Sequence, residues 1–290
     1  MDLPLPVSPD PIAPLRLCCP EIQTVPLVFA SPHSGRDYPV DFVADARLDP
    51  LSLRRSEDSF VDELFAAAPA HGAPLLAATF PRAFCDPNRE PWELDPTMFE
   101  EELPPWVNTS SPRVGAGLGT IARVVASGES IYRRKLRFVE AENRVNGLWQ
   151  PYHDALRDLI AATRRRFGIC LLIDCHSMPA NGQGRGCSAD FVLGDAHGTA
   201  CAPHATRRVE QLLSGLGYAV RRNDPYAGGY ITRHYGRPRE GVHAIQIEIA
   251  RSLYMDEVHI CKLPRFAALQ RDLTRLVAMM AEAGSGLLAA

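Results

Sequence analysis

Short apolar runs, each stopped by turn residues, alternate in this chain with stretches of helical spacing, and that alternation constrains the fold more than any other feature. The clearest runs are LVFA after Pro26, CLLI at 170–173, FVL at 191–193 and HAIQIEIA at 243–250. PLLAATF, 74–80, and YAVRRND, 218–224, read as further strands. Helical spacing is expected over 58–70, with Ser56 or Asp58 as N-cap, over 129–166 with a break near Gly147 to Pro151, over 201–217, and over 264–283. Residues 101–118, the glycine-rich NGQGRG and the stretch 225–236 read as loops. Strands that alternate with helices predict an α/β fold with a mixed, mostly parallel central sheet flanked by helices. No repeat or linker breaks the pattern. The expectation is a flexible, proline-rich arm over 1–22 and a single domain over 23–290.

A 46% hydrophobic content suits a chain with a proper core. The net charge of −3 is spread through the sequence, so no electrostatic footprint for nucleic acid is visible. An acidic ligand would be met by local arginines. The start of the chain lacks the basic and apolar regions of a signal peptide, and no apolar run approaches the roughly 20 residues of a membrane span. Eight cysteines without CxxC spacing point to free thiols in a reducing, cytoplasmic setting.

Reactive side chains fall where strands end, the place where open α/β sheets bind ligands. His33 follows the first strand, Glu57 and Asp58 open the next helical segment, DCHSMP (174–179) follows CLLI, and Glu248 lies on a late strand. Two histidines and a carboxylate from separate elements suit zinc with a position left for water. A further carboxylate can move the proton. Simpler roles stand beside these. Asp58 also reads as a helix cap, and Gln246 and Glu248 as the solvent-facing members of an alternating strand. PRAFCDPNRE (81–90) also reads as a polar loop tied by Asp86 to an arginine, although Arg82, Asn88 and Arg89 offer the forks and amide that grip carboxylates. A Cys175 or Ser177 nucleophile beside His176 is geometrically awkward, because neighbours on a strand point to opposite faces. No GxSxG elbow supports it either.

In order, PHSG, EDSFVDELF, PRAFCDPNRE, DCHSMP, DFVLGD, PYAGGYITRHYG and QIEIARSLYMDE resemble the N-formylglutamate amidohydrolase family over residues 25 to 260. That family is related to the zinc carboxypeptidases and aspartoacylase. The resemblance implies a zinc-carboxypeptidase-like fold and one zinc per chain, held by His33, His176 and Asp58, with Glu57 as the alternative carboxylate. Carboxypeptidases place that carboxylate three residues after the first histidine, and here the position is Arg36. Glu248 would be the general base and Arg82 would polarise the substrate carbonyl. Asn88, Arg89, Arg144 and Arg233 would bind substrate carboxylates. Asp174, two residues from His176 on the same strand face, could orient its imidazole. Cys175 is expected to pack on the opposite face and Ser177 to satisfy local backbone groups.

The implied reaction is hydrolysis of N-formyl-L-glutamate to formate and L-glutamate, a late step of histidine breakdown. The implied partner is a small acidic N-acyl amino acid, with neither nucleic acid nor membrane, acted on by a monomer or homodimer. Two alternatives accompany this reading. One is a zinc amidase of the same fold acting on another N-acyl amino acid or peptide, and the other is a non-catalytic carboxylate-binding homologue.

Overall fold

The computed structural model describes residues 7–8, 13–179 and 189–287, so the NGQGRG loop lies outside the described residues. The described chain parts into two compact units interleaved in sequence. One comprises residues 32–59 and 77–155 with the N-terminal stretch to Arg16. The other comprises 17–31, 60–76 and 156 onward. Because the chain alternates between them in short lengths, no composition shift or linker marks either one.

The second unit is built on a seven-stranded sheet. Its strands are β1 (Leu15–Cys18), β2 (Leu27–Ser31), β3 (Leu75–Ala78), β4 (Cys170–Met178), β5 (Phe191–Gly194), β6 (Val220–Arg222) and β7 (Val242–Ala250), in the order β1-β3-β2-β4-β7-β5-β6. β2 runs parallel to β4 from Leu27↔Leu171 to Ala30↔Asp174, and β4 runs parallel to β7 from Cys170↔Val242 to Met178↔Ala250. β5 is antiparallel to β7 and parallel to β6, which makes the sheet mixed and mostly parallel in its described pairings. Every residue of β2, β4, β5 and β7 is buried, as strands covered on both faces must be. That burial corrects the solvent-facing alternative for Gln246 and Glu248, since both are inside. β4 also runs on through His176 to Met178 instead of stopping at Asp174. Within the segment read as a loose arm, Leu15–Cys18 forms an edge strand of the sheet.

The flanking helices follow their apolar spacing. Four are named here: α1 (Phe138–Arg144), α2 (Gln150–Phe167), α3 (Pro203–Gly215) and α4 (Tyr230–Tyr235). A fifth, α5 (Phe266–Ala283), buries Phe266, Leu269, Leu273, Leu276, Val277 and Met280 along one stripe. Truncating a leucine such as Leu273 there to alanine costs about 2–5 kcal/mol of folding stability.

Three expected elements change. The segment 58–70 forms only a short helix at Val61–Leu64, and its N-cap is Phe60, held at φ 67° without a side-chain cap bond. Neither Ser56 nor Asp58 caps it; the Ser56 hydroxyl accepts from the Ala126 N–H instead. Residues 129–137 are not helical, because their backbone groups pair with neighbouring loops, as in Ile131 N–H to Arg123 O and Leu136 N–H to Met98 O. The 225–236 stretch, read as a loop, contains α4.

The first unit has its own core, in which Tyr38, Phe42, Ala46 and Leu53 pack with Ala83, Ala122, Val125 and Ile131. Short helices at Val40–Asp45 and Pro50–Arg54 supply part of it, the second started by Asp49, whose Oδ1 accepts from the Leu51 and Ser52 N–H groups. The break expected near Gly147 to Pro151 is a π-helical turn, Val145–Trp149, between α1 and α2.

Candidate functional site

In the first unit the candidate residues gather on Asp86. His33 lies just past β2 and is almost fully buried; its Nε2 sits 2.7 Å from Asp86 Oδ1. Arg82 Nη2 donates to Asp86 Oδ2 at 2.7 Å, Arg89 Nη2 is 3.8 Å from the same oxygen, and the Asn88 backbone N–H donates to Oδ1 at 2.8 Å. Burial alone would raise the Asp86 pKa, but Arg82, His33 and Arg89 more than offset it and hold the carboxyl well below its usual range. An ionised carboxylate only accepts, so the imidazole proton belongs on Nε2. The His33 Nδ1 lies 3.4 Å from Asp58 Oδ2. Backbone geometry fixes the pair, since the Asp58 N–H donates to the His33 carbonyl at 3.0 Å.

Glu57, the alternative carboxylate, is engaged elsewhere. Tyr38 donates to its Oε1 at 2.7 Å, Ser59 to its Oε2 at 2.8 Å, and Arg54 reaches both oxygens. The Tyr38 hydroxyl is in turn pushed well above its ordinary pKa by burial and by the Glu57 charge.

The loop that carries Arg82, Asn88 and Arg89 is held from behind. Trp149 Nε1, turned inward by the π-helical turn, donates to the Arg89 carbonyl at 3.0 Å, and His153 Nε2 lies 2.8 Å from the Pro87 carbonyl. Arg89 is itself pinned by Nε to Leu118 O and by Nη1 to Asn88 O, and its burial lowers its pKa. Arg144 occupies a different environment. Its guanidinium stacks 4.0 Å from the Phe84 ring and donates to the Tyr132 hydroxyl at 2.6 Å.

In the second unit the candidates line the paired strands β4 and β7. His176 Nε2 lies 3.0 Å from Asp174 Oδ1, and Asp174 Oδ2 accepts from Thr232 Oγ1 at 3.2 Å. Across the register, Asp174 pairs with Gln246 and His176 with Glu248. Gln246 Nε2 donates to Glu248 Oε1 at 2.6 Å. Arg233 is exposed on α4, its Nε donating to the Gly228 carbonyl. Cys175 is buried on the opposite face of β4, and burial, with the nearby Asp174 charge, pushes its thiol well above the usual range, which disfavours the thiolate a nucleophile needs. Ser177 Oγ accepts from Arg251 Nε at 3.1 Å.

His33 and Asp58 in the first unit and His176 in the second are all buried. Two imidazole nitrogens and one carboxylate oxygen match the donor chemistry that zinc takes. Each histidine also has its Nε2 beside a buried aspartate, the support that metal-ligating histidines almost always have. Asp86 is the residue the sequence left out of the site. Its signal was its place between Arg82 and the Asn88-Arg89 pair, too close to both arginines to be a spectator.

The family model for N-formylglutamate amidohydrolase matches residues 25–255. The chain belongs to the N-formylglutamate amidohydrolase family. It is 30% identical over 240 residues to the N-formylglutamate deformylase of Pseudomonas putida, and 32% identical over 242 residues to that of Pseudomonas aeruginosa, with 80% of this chain and 83% of each relative covered. Among solved structures, an N-formylglutamate amidohydrolase from Ralstonia eutropha JMP134 is 42% identical, with a TM-score of 0.89 over 95% of this chain and 99% of that one.

Proposed function

We propose that this protein hydrolyses the formamide bond of N-formyl-L-glutamate, releasing formate and L-glutamate, with one zinc ion held by His33, Asp58 and His176. The observation that carries the metal reading is the pair of buried His–Asp couples, His33–Asp86 and His176–Asp174, the support that metal-ligating histidines commonly have. Asp58 is the carboxylate ligand in preference to Glu57, whose oxygens are engaged by Tyr38, Arg54 and Ser59. Family membership and the names of the relatives support the reaction and the substrate.

Zinc in this position supplies Lewis acidity to the amide carbonyl and acidifies water. The chain's own side chains do the rest. Glu248 accepts the proton of the attacking water and returns it to the departing amine of glutamate. Arg82 presents a guanidinium to the carbonyl oxygen as negative charge develops there, a preorganised charge of the kind that dominates many rate enhancements. Asn88 and Arg89 take one substrate carboxylate, and the exposed Arg233 is the candidate for a second. An arginine pocket built for two carboxylates rejects substrates lacking one, because the guanidinium is then left unpaired. Support for a cytoplasmic setting comes from the thiols: the seven cysteines among the described residues are all free. No described helix is long and apolar enough to cross a membrane.

A panel of N-formyl, N-acetyl and N-succinyl amino acids tests the assignment. Formate release confined to N-formyl acidic amino acids is the expected result, and a preference for another acyl group or a neutral amino acid would reject it. In the same assay Glu248→Gln should keep its zinc and lose about 10²–10⁴-fold in turnover; near-normal turnover would remove Glu248 from the base role.

A further inference from the structure

We infer that Gln246 is the positioning residue of the general base, its amide locked in one orientation so that Glu248 is held where it accepts the proton. The inference rests on the proposed role of Glu248. Gln246 is buried on β7, two residues before Glu248 on the same strand face, and both of its amide atoms are engaged. Its Oε1 accepts from the Gly229 backbone N–H at 2.7 Å, and its Nε2 donates to Glu248 Oε1 at 2.6 Å.

These two bonds are not independent. A backbone N–H only donates, so it must meet the amide oxygen, and the amide nitrogen is thereby turned toward the carboxylate. Flipping the amide would set donor against donor at Gly229 and acceptor against acceptor at Glu248. The orientation of the base is therefore written into the position of the 226–229 backbone.

That backbone is itself fixed. It lies so close over Gly194 of β5 that a Cβ there would meet Gly228 N at 2.6 Å and the Ala227 carbonyl carbon at 2.8 Å. Gly228 has φ 112°, a conformation that side chains with a Cβ resist. Three residues after Gly229, Thr232 donates to Asp174, the partner of His176. Arg233, next in the chain, donates back to the Gly228 carbonyl. One segment thus anchors the amide that holds the base, the carboxylate that orients a metal-ligand histidine, and an arginine proposed for substrate.

The test uses the zinc-loaded full chain, with N-formyl-L-glutamate as substrate. Gln246→Leu removes both hydrogen bonds at similar size. Gln246→Glu keeps an acceptor for the Gly229 N–H but sets a second carboxylate against Glu248. Both variants are expected to lose at least about tenfold in kcat, with KM within about twofold and zinc content unchanged. Wild-type kcat in Gln246→Leu, or a loss confined to KM, overturns the inference. Recovery of wild-type kcat in Gln246→Glu also overturns it, because the amide would then be a loop anchor only. Should Gln246→Leu fail to fold, Gln246→Glu alone decides. Wild-type and Glu248→Gln controls keep the two ideas apart. A wild type without formate release defeats the functional reading and this inference with it, whereas an active wild type with an indifferent Gln246→Leu defeats the inference alone.

Discussion

At the scale of single residues, Asp86 does more than any side chain assigned a direct chemical role. It contacts His33 Nε2, accepts from Arg82 and receives the Asn88 N–H, so a proposed metal ligand and the proposed substrate loop share one carboxylate. Asp86→Ala should therefore weaken zinc binding by about 10–100-fold in competition with a chromophoric chelator. It should also destabilise the apo chain by about 3–5 kcal/mol in denaturant melts, because Arg89 is left buried without its counter-charge. Unchanged zinc affinity would mean that His33 is oriented by something else. The histidines, Glu248 and the arginine loop were legible as residue types placed after apolar runs. Their orienting partners were legible only in part. Asp174 could be read from the two-residue repeat of a strand, because alternation fixes its face. Asp86 meets His33 across 53 positions of sequence, and no local period encodes such a contact.

At the scale of elements, the π-helical turn and the capped start of α1 deserve separate tests because they serve different ends. Trp149 reaches the Arg89 carbonyl from the π-helical turn, so Trp149→Phe should raise KM for N-formyl-L-glutamate several-fold while zinc content stays at the wild-type level. Equal KM values would show that the loop holds its shape without the indole. The start of α1 is governed by Glu140, which accepts from the Arg137 N–H at 2.8 Å and from Arg134. The Arg134 hydrogen bond comes first among the causes that lower the Glu140 pKa to about 2. A carboxyl depressed on folding contributes its stability above its unfolded value and loses it as pH falls through the folded one. Glu140→Gln should thus lower the melting temperature slightly at pH 7, and the difference should shrink between pH of about 4.5 and about 2. A difference independent of pH would assign the effect to packing.

The same elements show why some boundaries were unreadable. Strand runs of LVFA or FVL are uniform enough to stand out, and α5 shows its stripe plainly. The 58–70 segment has helical spacing too, yet Phe60 adopts a left-handed backbone and the helix shrinks to Val61–Leu64. The turn before it is shaped to bring Asp58 to the His33 carbonyl. Local propensity gives way there to the needs of the site.

At the scale of the whole molecule, the mixed sheet and its flanking helices follow from the alternation of runs, and burial of every residue in β2, β4, β5 and β7 explains why Gln246 and Glu248 lie inside despite an alternating pattern. The interleaved units were invisible because the chain leaves and re-enters each of them without a linker. The proposed amide hydrolysis depends on a zinc ion held by His33, His176 and Asp58. Metal content and formate release from N-formyl-L-glutamate, measured before chelation, after chelation and after zinc is restored, test it most directly. The expected result is about one zinc per chain, loss of formate release on chelation and its return with zinc. Full formate release from the metal-free chain would contradict it.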